Sequence, residues 1–192
     1  RTSFNMDEID AVAVAMGPGS FTGLRIGAAT AKGLGLALNK PIIGVPTVDG
    51  LAYQLFGVNS LICPMMDARR KQVYTGFYRF HGSQMEVVKE QCAQSVEDTL
   101  KQLKEYKEPV IFLGDGVPVY RKEIEEAMGT DAVFAPAHVN RQRAGAVGAL
   151  AEVYYEKGMW QTADAFAPEY LRKSQAERER EERIHGKSES KC

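Results

Sequence analysis

The stretch Ala11-Val12-Ala13-Val14-Ala15-Met16-Gly17-Pro18-Gly19-Ser20-Phe21-Thr22-Gly23-Leu24-Arg25-Ile26-Gly27 decides how this chain folds. Its first six residues form a short apolar run that Gly17-Pro18-Gly19 stops, which reads as a buried strand. Ser20 stands at the N-cap position, and Phe21 to Leu38 reads as a helix that Lys40-Pro41 ends, since the residue before proline avoids helical angles. A strand, a glycine turn and a helix N-terminus together make an anion site, with free amides pointing outward. The turn is not a phosphate-binding P-loop, because no lysine followed by Ser or Thr sits at the needed spacing. Nor is it a dinucleotide fingerprint, because Thr22 takes the third glycine position. The glycines serve equally well as a tight connection.

Working outward, Ile42-Ile43 opens a second strand, and Thr47 to Gly57 reads as a helix capped by Thr47. Residues 61 to 94 read as a meander of three strands: Val73, Thr75 and Phe77 alternate with Tyr74, Gly76 and Tyr78, and His81-Gly82-Ser83 makes a turn. A helix from Ser95 to Tyr106, strands at Val110–Leu113 and Ala132–Ala135, a helix over Val119–Met128 and another over Arg141–Lys157 follow. The pattern predicts an α/β protein of two similar halves. The first half spans 1–59, completed by the helix at 141–158; the second spans 60–140. Residues 173–192 alternate in charge and hold one aliphatic side chain larger than alanine, Ile184, so they are expected to be a disordered tail or a frayed, charged helix.

Twenty-four basic against twenty-five acidic residues leave a net charge of -1, which gives no support to direct nucleic-acid binding. Three cysteines, Cys63, Cys92 and Cys192, lack metal or redox spacing and fit a reducing, cytoplasmic setting. No apolar run is long enough for a bilayer. The three histidines, His81, His138 and His185, are far apart, so no metal site is expected. Ser20 has no histidine in visible relation to it, and Cys63 lies inside an apolar run. Within the first long helix, Gly23, Gly27, Ala31 and Gly35 recur every four residues. Such a stripe allows a close backbone approach, either by this chain's own sheet or by a partner.

Residues 15–27, together with Asp67-Ala68-Arg69-Arg70 before Val73-Tyr74 and Pro168-Glu169-Tyr170-Leu171-Arg172 near the end, resemble the TsaB (YeaZ) family. The similarity runs in order from residue 9 to about 176. It implies an actin/Hsp70/sugar-kinase type fold of two α/β subdomains. It also implies that a portion before Arg1 is missing here, leaving the first subdomain incomplete. The family implies a non-catalytic scaffold for adding threonylcarbamoyl to the adenosine beside the tRNA anticodon. Its implied partners are the catalytic paralogue TsaD, the ATPase TsaE and, without them, a second copy. Contact with tRNA would come only through the complex.

Carried onto this chain, the resemblance assigns the partner interface to Phe21, Gly23, Leu24, Gly27, Ala28, Ala31 and Gly35. It leaves Gly17, Gly19, Ser20, Asp67, Arg69, Gly114 and Asp115 as nucleotide-side loops. At the second of these loops alanine and arginines replace the small residues a phosphate needs, and Asp67–Arg69 reads as an ion pair at a hairpin corner. No cofactor is expected, with ATP binding weak or confined to the complex. TsaD's His-x-x-x-His metal motif is not in this sequence. The competing reading is an enzyme of the same superfamily, either a hydrolase or peptidase or a small-molecule kinase.

Overall fold

A computed structural model describes residues 5–172; the tail at 173–192, with His185 and Cys192, lies outside the described residues. The chain order is β1 (Val12–Gly17), α1 (Phe21–Leu38), β2 (Ile42–Pro46), α2 (Thr47–Ala52), β3 (Leu61–Asp67), β4 (Gln72–His81), β5 (Gln84–Ser95), α3 (Val96–Lys104), β6 (Val110–Leu113), α4 (Gly116–Val119), α5 (Arg121–Met128), β7 (Ala132–Phe134) and α6 (Ala144–Glu156). Strands β1 and β2 pair in parallel. The other five form one sheet in the order β5-β4-β3-β6-β7, antiparallel through the meander and parallel from β3 to β7.

The helices sort the sheets into layers. Leu24, Ala28, Ala31 and Gly35 of α1 are buried on one face of the small sheet, where Ala28 and Ala31 join Ile42, Ala163 and Phe166. On its other face Ile43 and Val45 meet Leu150 and Ala151 of α6. Helix α2 is buried at every residue. Its Val48, Leu51 and Ala52 pack onto Ile62, Tyr78 and Phe80 of the large sheet. The far face of that sheet is covered by α3 and α5, where Leu100, Leu103 and Ile124 enclose Phe77 and Phe112. The order is therefore helix, sheet, helices, sheet, helices, with α2 as the wedge between the halves.

Local chemistry explains most of the boundaries. Ser20 Oγ accepts from the Gly23 amide at the start of α1. Asn39 ends that helix in the left-handed region, φ 51°, and Lys40 N donates back to Gly35 O at 2.9 Å. Ser95 caps α3 in the same way, with Asp98 N donating to its Oγ at 2.9 Å.

Three sequence expectations fail locally. The N-cap of α2 is Pro46, not Thr47, whose buried Oγ1 has no hydrogen-bond partner. The α-helix also ends at Ala52 and tightens into a 3-10 turn at Tyr53–Leu55, so it falls short of Gly57. The helix expected over Val119–Met128 is two pieces broken at Tyr120, whose hydroxyl turns inward to donate to Asp67 Oδ1 at 2.9 Å.

Candidate functional site

Two features stand where the sequence reading placed function: the crevice beside the glycine turn, and the long helix that follows it. At the crevice, β1 and β3 both end, and β3 turns into β4 through Ala68–Lys71. Arg69, Arg70 and Lys71 all lie in the left-handed region, with φ 64°, 54° and 56°. For side-chain-bearing residues that costs about 1–2 kcal/mol each, so the turn needs bracing. Arg69 N donates to Asp67 Oδ1 at 2.9 Å, Ala68 N to Gln72 O at 2.9 Å, and Val96 N to Lys71 O at 3.0 Å.

Asp67 thus works locally, as an acceptor for its own turn and for Tyr120. Its ion pair with Arg69 is long, 3.6 Å, and the arginine side chain is 89% exposed, so the pair adds little. Gly114 and Asp115 come to the same place. Asp115 Oδ1 accepts from Asp67 N at 3.1 Å, and Gly114 N donates to Asn140 Oδ1 at 3.3 Å. A Cβ on Gly114 would sit 2.2 Å from Met65 O, so this glycine lets the loop lie directly on β3.

Across the crevice, Gly17 meets this chain's own segment at residues 168–172, while Gly19 packs on Leu24. Glu169 N donates to Met16 O at 2.7 Å, and a Cβ on Gly17, at φ 122°, would fall 2.2 Å from Glu169 O. Gln91 Nε2 from β5 reaches both Gly17 O (3.3 Å) and Glu169 Oε2 (3.2 Å). Arg172 Nη1 donates to Ala68 O at 2.8 Å. The remaining space, bounded by Gly19, Leu24, Ala68, Tyr74 and Tyr170, is about 150 Å³. Small-molecule sites usually offer roughly 300–1,000 Å³. The structure therefore joins Asp67, Arg69 and Asp115 by hydrogen bonds with Gly114 laid on β3, sets Gly17 against Glu169, and leaves Gly19 as the one of these residues that lines the small cavity.

The candidate nucleophiles of the enzyme reading are engaged elsewhere. Ser20 Oγ is used as the helix cap. Cys63 is wholly buried with its Sγ 3.3 Å from Thr75 Oγ1, and burial pushes its thiol up to about 12. His81 is exposed on a hydrogen bond to Glu86, 2.7 Å. Among the described residues no three His, Cys, Asp or Glu side chains converge as metal ligands.

Helix α1 corrects the expected interface. Leu24, Ala28, Ala31 and Gly35 face this chain's own core. A Cβ on Gly35 would lie 3.0 Å from Lys40 O, 3.2 Å from Ala163 Cβ and 3.3 Å from Ile42 Cγ1. The close approach is thus intramolecular. Gly27 is half-buried over Val14, whereas Phe21 and Gly23 are exposed.

The four-residue stripe is not one face. Each step of four residues turns about 40° around a helix, so three steps turn about 120°. The stripe therefore walks from exposed Gly23 to buried Gly35. The outward face is carried by Thr22, Ile26, Ala29, Gly33 and Ala37. Ile26 is 62% exposed, Leu36 57% and Leu34 43%. A Cβ on Gly33 would meet nothing within 4 Å, so the chain's own packing gives no reason for a glycine there. The 22/26/29/33/37 spacing was readable in the sequence, but the denser glycine stripe masked it.

A deeper feature had no sequence signal. Asp49 of α2, 4% exposed, accepts from Tyr78 OH of β4 at 2.7 Å and from Tyr154 OH of α6 at 3.1 Å. Burial raises its carboxyl above 3.8, the two hydroxyls pulling the other way, and burial likewise raises both tyrosines. Gly76 makes this possible: a Cβ there would come within 2.6 Å of Tyr78 Oη.

Two α/β lobes around a crevice, joined through a helical wedge, define the actin/Hsp70/sugar-kinase class of architecture. The family model described as TsaD, tRNA N6-adenosine threonylcarbamoyltransferase, matches residues 1–180. The tRNA threonylcarbamoyladenosine biosynthesis protein TsaB of Bacillus subtilis (strain 168) is 36% identical over 172 residues, covering 88% of this chain and 72% of its own. Its namesake from Escherichia coli (strain K12) is 37% identical over 92 residues, 44% of this chain and 40% of its own. YeaZ from Pseudomonas aeruginosa shares the fold at a TM-score of 0.68 with 23% identity, covering 87% of this chain and 76% of its own. A Pseudomonas aeruginosa structure described as similar to peptidase YEAZ gives 0.72 with 24% identity, covering 88% and 76%. This chain belongs to the TsaB (YeaZ) family.

Proposed function

We propose that this protein serves tRNA threonylcarbamoyladenosine biosynthesis as a non-catalytic scaffold, docking a TsaD-type paralogue on the outward face of α1. The observation that carries the reading is that face: Ile26 stands in solvent two turns from Gly33, a glycine that intrachain packing does not require, with Thr22, Ala29 and Ala37 exposed along the same line. A line of small residues with one exposed aliphatic side chain suits a helix of a second chain packed at close range. In the absence of TsaD the same strip would pair with a second copy of itself, an isologous contact. A TsaE-type ATPase would join the assembled pair, and tRNA would be contacted by the complex.

The crevice supports the non-catalytic part of the reading, since residues 168–172 occupy the ground beside the glycine turn that a nucleotide's phosphates would need. No helix among the described residues is long and apolar enough to cross a membrane. The tRNA-modifying role places the protein in the cytoplasm, where the complex meets its tRNA.

Co-purification with a TsaD-type partner tests the proposal. Ile26→Glu and Gly33→Leu are expected to abolish the complex and reconstituted tRNA modification while leaving the circular dichroism of the isolated chain unchanged. Undiminished complex formation by both variants would refute the α1 surface. ATP turnover by the isolated chain would refute the non-catalytic role.

A further inference from the structure

We propose that Pro168–Arg172 is a clasp that fixes the angle between the two halves, closing the crevice at one end while the Asp49–Tyr78–Tyr154 cluster acts as the pivot at the other. The inference stands apart from the identity of any partner, because it concerns contacts within one chain.

The halves meet in two places of different character. At the pivot, the wedge helix α2 presents Asp49 to one tyrosine from the large sheet and one from α6. All three are secluded from bulk water to a large degree, so this junction is costly to open. On the crevice side no helix among the described residues bridges the halves. There, five residues of extended chain do so. Glu169 N is bound to the end of β1, its carboxylate to Gln91 of β5, and Arg172 to the carbonyl of Ala68 beyond β3. Tyr170 adds a fourth tie: its ring lies 5.0 Å from that of Phe21, the first residue of α1, and the Arg25 guanidinium sits 4.0 Å from the Phe21 centroid. Upstream, Lys32 Nζ donates to the carbonyls of Asp164 (3.1 Å) and Phe166 (3.0 Å), so the segment leaves the first half from a fixed point.

The clasp's landing sites are themselves unusual. Gly17 can carry no side chain without striking Glu169 O. Ala68 opens the turn that holds three successive left-handed residues. Strained backbone of this kind persists only where surrounding contacts over-determine it, and Arg172 supplies one of those contacts. The ties are few and partly exposed, which makes this side of the molecule the first to open; the pivot, being buried, holds. Rotation about α2 with loss of the clasp would be a hinge motion.

Distance measurement between spin labels tests the clasp. Cys92→Ser and Cys192→Ser remove the competing thiols, Cys63 being wholly buried. Labels are then placed at Ala37→Cys on α1 and Lys101→Cys on α3, both exposed, and the labelled chain is diluted into excess unlabelled chain so that pairing between copies adds no distance. The parent is expected to give one narrow distance distribution. Tyr170→Ala/Arg172→Ala is expected to broaden it about twofold or add a second, displaced population, as hinge opening requires. Gln91→Ala, which removes only a side-chain tie, is expected to do the same to a smaller extent and serves if the double variant fails to fold. An unchanged distribution in whichever variant folds would overturn the clasp. Tyr154→Phe, which touches the pivot alone, is expected to leave the distribution narrow, and broadening there would overturn the assignment of the pivot.

Discussion

Replacing Tyr78 by Phe removes one hydroxyl and tests whether the wedge between the halves is held by a buried charge. Tyr78 is wholly buried, and its hydroxyl donates to Asp49 Oδ1 at 2.7 Å. Hydrogen bonds to charged groups contribute about 1.5–3 kcal/mol, against about 1 kcal/mol for neutral pairs. The phenylalanine variant is therefore expected to lose about 2 kcal/mol near neutral pH, which for a chain of this size lowers Tm by about 4–8 °C. The loss should depend on pH. Burial, the largest influence, holds the Asp49 carboxyl above its ordinary 3.8. Between 3.8 and the raised value the native state binds more protons than the unfolded one. Stability from this group is thus full below 3.8 and is lost as pH rises through the folded value.

Removing a donor raises the folded value further, so the variant's deficit should grow with pH and be larger at pH 7 than at pH 4.5, moving from the size of a neutral pair toward that of a charged one. Urea unfolding at both pH values measures this, with unchanged m-values as the check that the same transition is compared. A deficit that is equal at the two pH values, or larger in acid, would refute the ionised-acceptor account.

Asp49→Asn should unfold at nearly the parent's midpoint in acid and gain on the parent as pH rises, because the amide keeps an acceptor without a charge; thermal scans across pH 4.5–7.5 read this out. Gly35→Leu is expected to cost about 1–3 kcal/mol, since even its Cβ crowds Lys40 O and Ala163, whereas Gly33→Ala should stabilise the isolated chain by up to about 1 kcal/mol; urea midpoints separate the two. Cys63, with its thiol held up near 12, should resist a thiol-specific disulfide reagent at mildly alkaline pH in the native protein and react once urea unfolds it.

Sequence carried α1 to the residue because two local signals bracket it: the Ser20 cap and the Lys40-Pro41 stop. The meander was legible from period-two alternation, and the match of Gln72–His81 to Gln84–Ser95 follows from the short turn between them. Thr47 misled because a hydroxyl after proline looks like a cap, yet the backbone turns helical one residue earlier. The split at Tyr120 was hidden because a tyrosine at a helix start carries no sign of which way its ring will turn. The Asp49 cluster was beyond reach for another reason. Its members lie 29 and 105 residues apart, and nothing in the spacing of an aspartate and two tyrosines marks them as neighbours. The glycine stripe of α1 left own sheet and partner equally open in the sequence, because a repeat of four drifts around the helix and carries its Gly35 end into the core while its Gly23 end stays exposed.

The placement of α2 limits how this molecule can be cut. Its backbone follows directly from β2 of the small sheet, yet Val48, Leu51 and Ala52 shield Ile62, Tyr78 and Phe80 of the large one. A fragment beginning at Leu61 would leave that aliphatic and aromatic surface bare, and one ending at Ser60 would carry the shield with nothing beneath it. Each piece on its own should clump or melt, while the two mixed together should recover solubility. The lobes are companions by shape, not detachable modules.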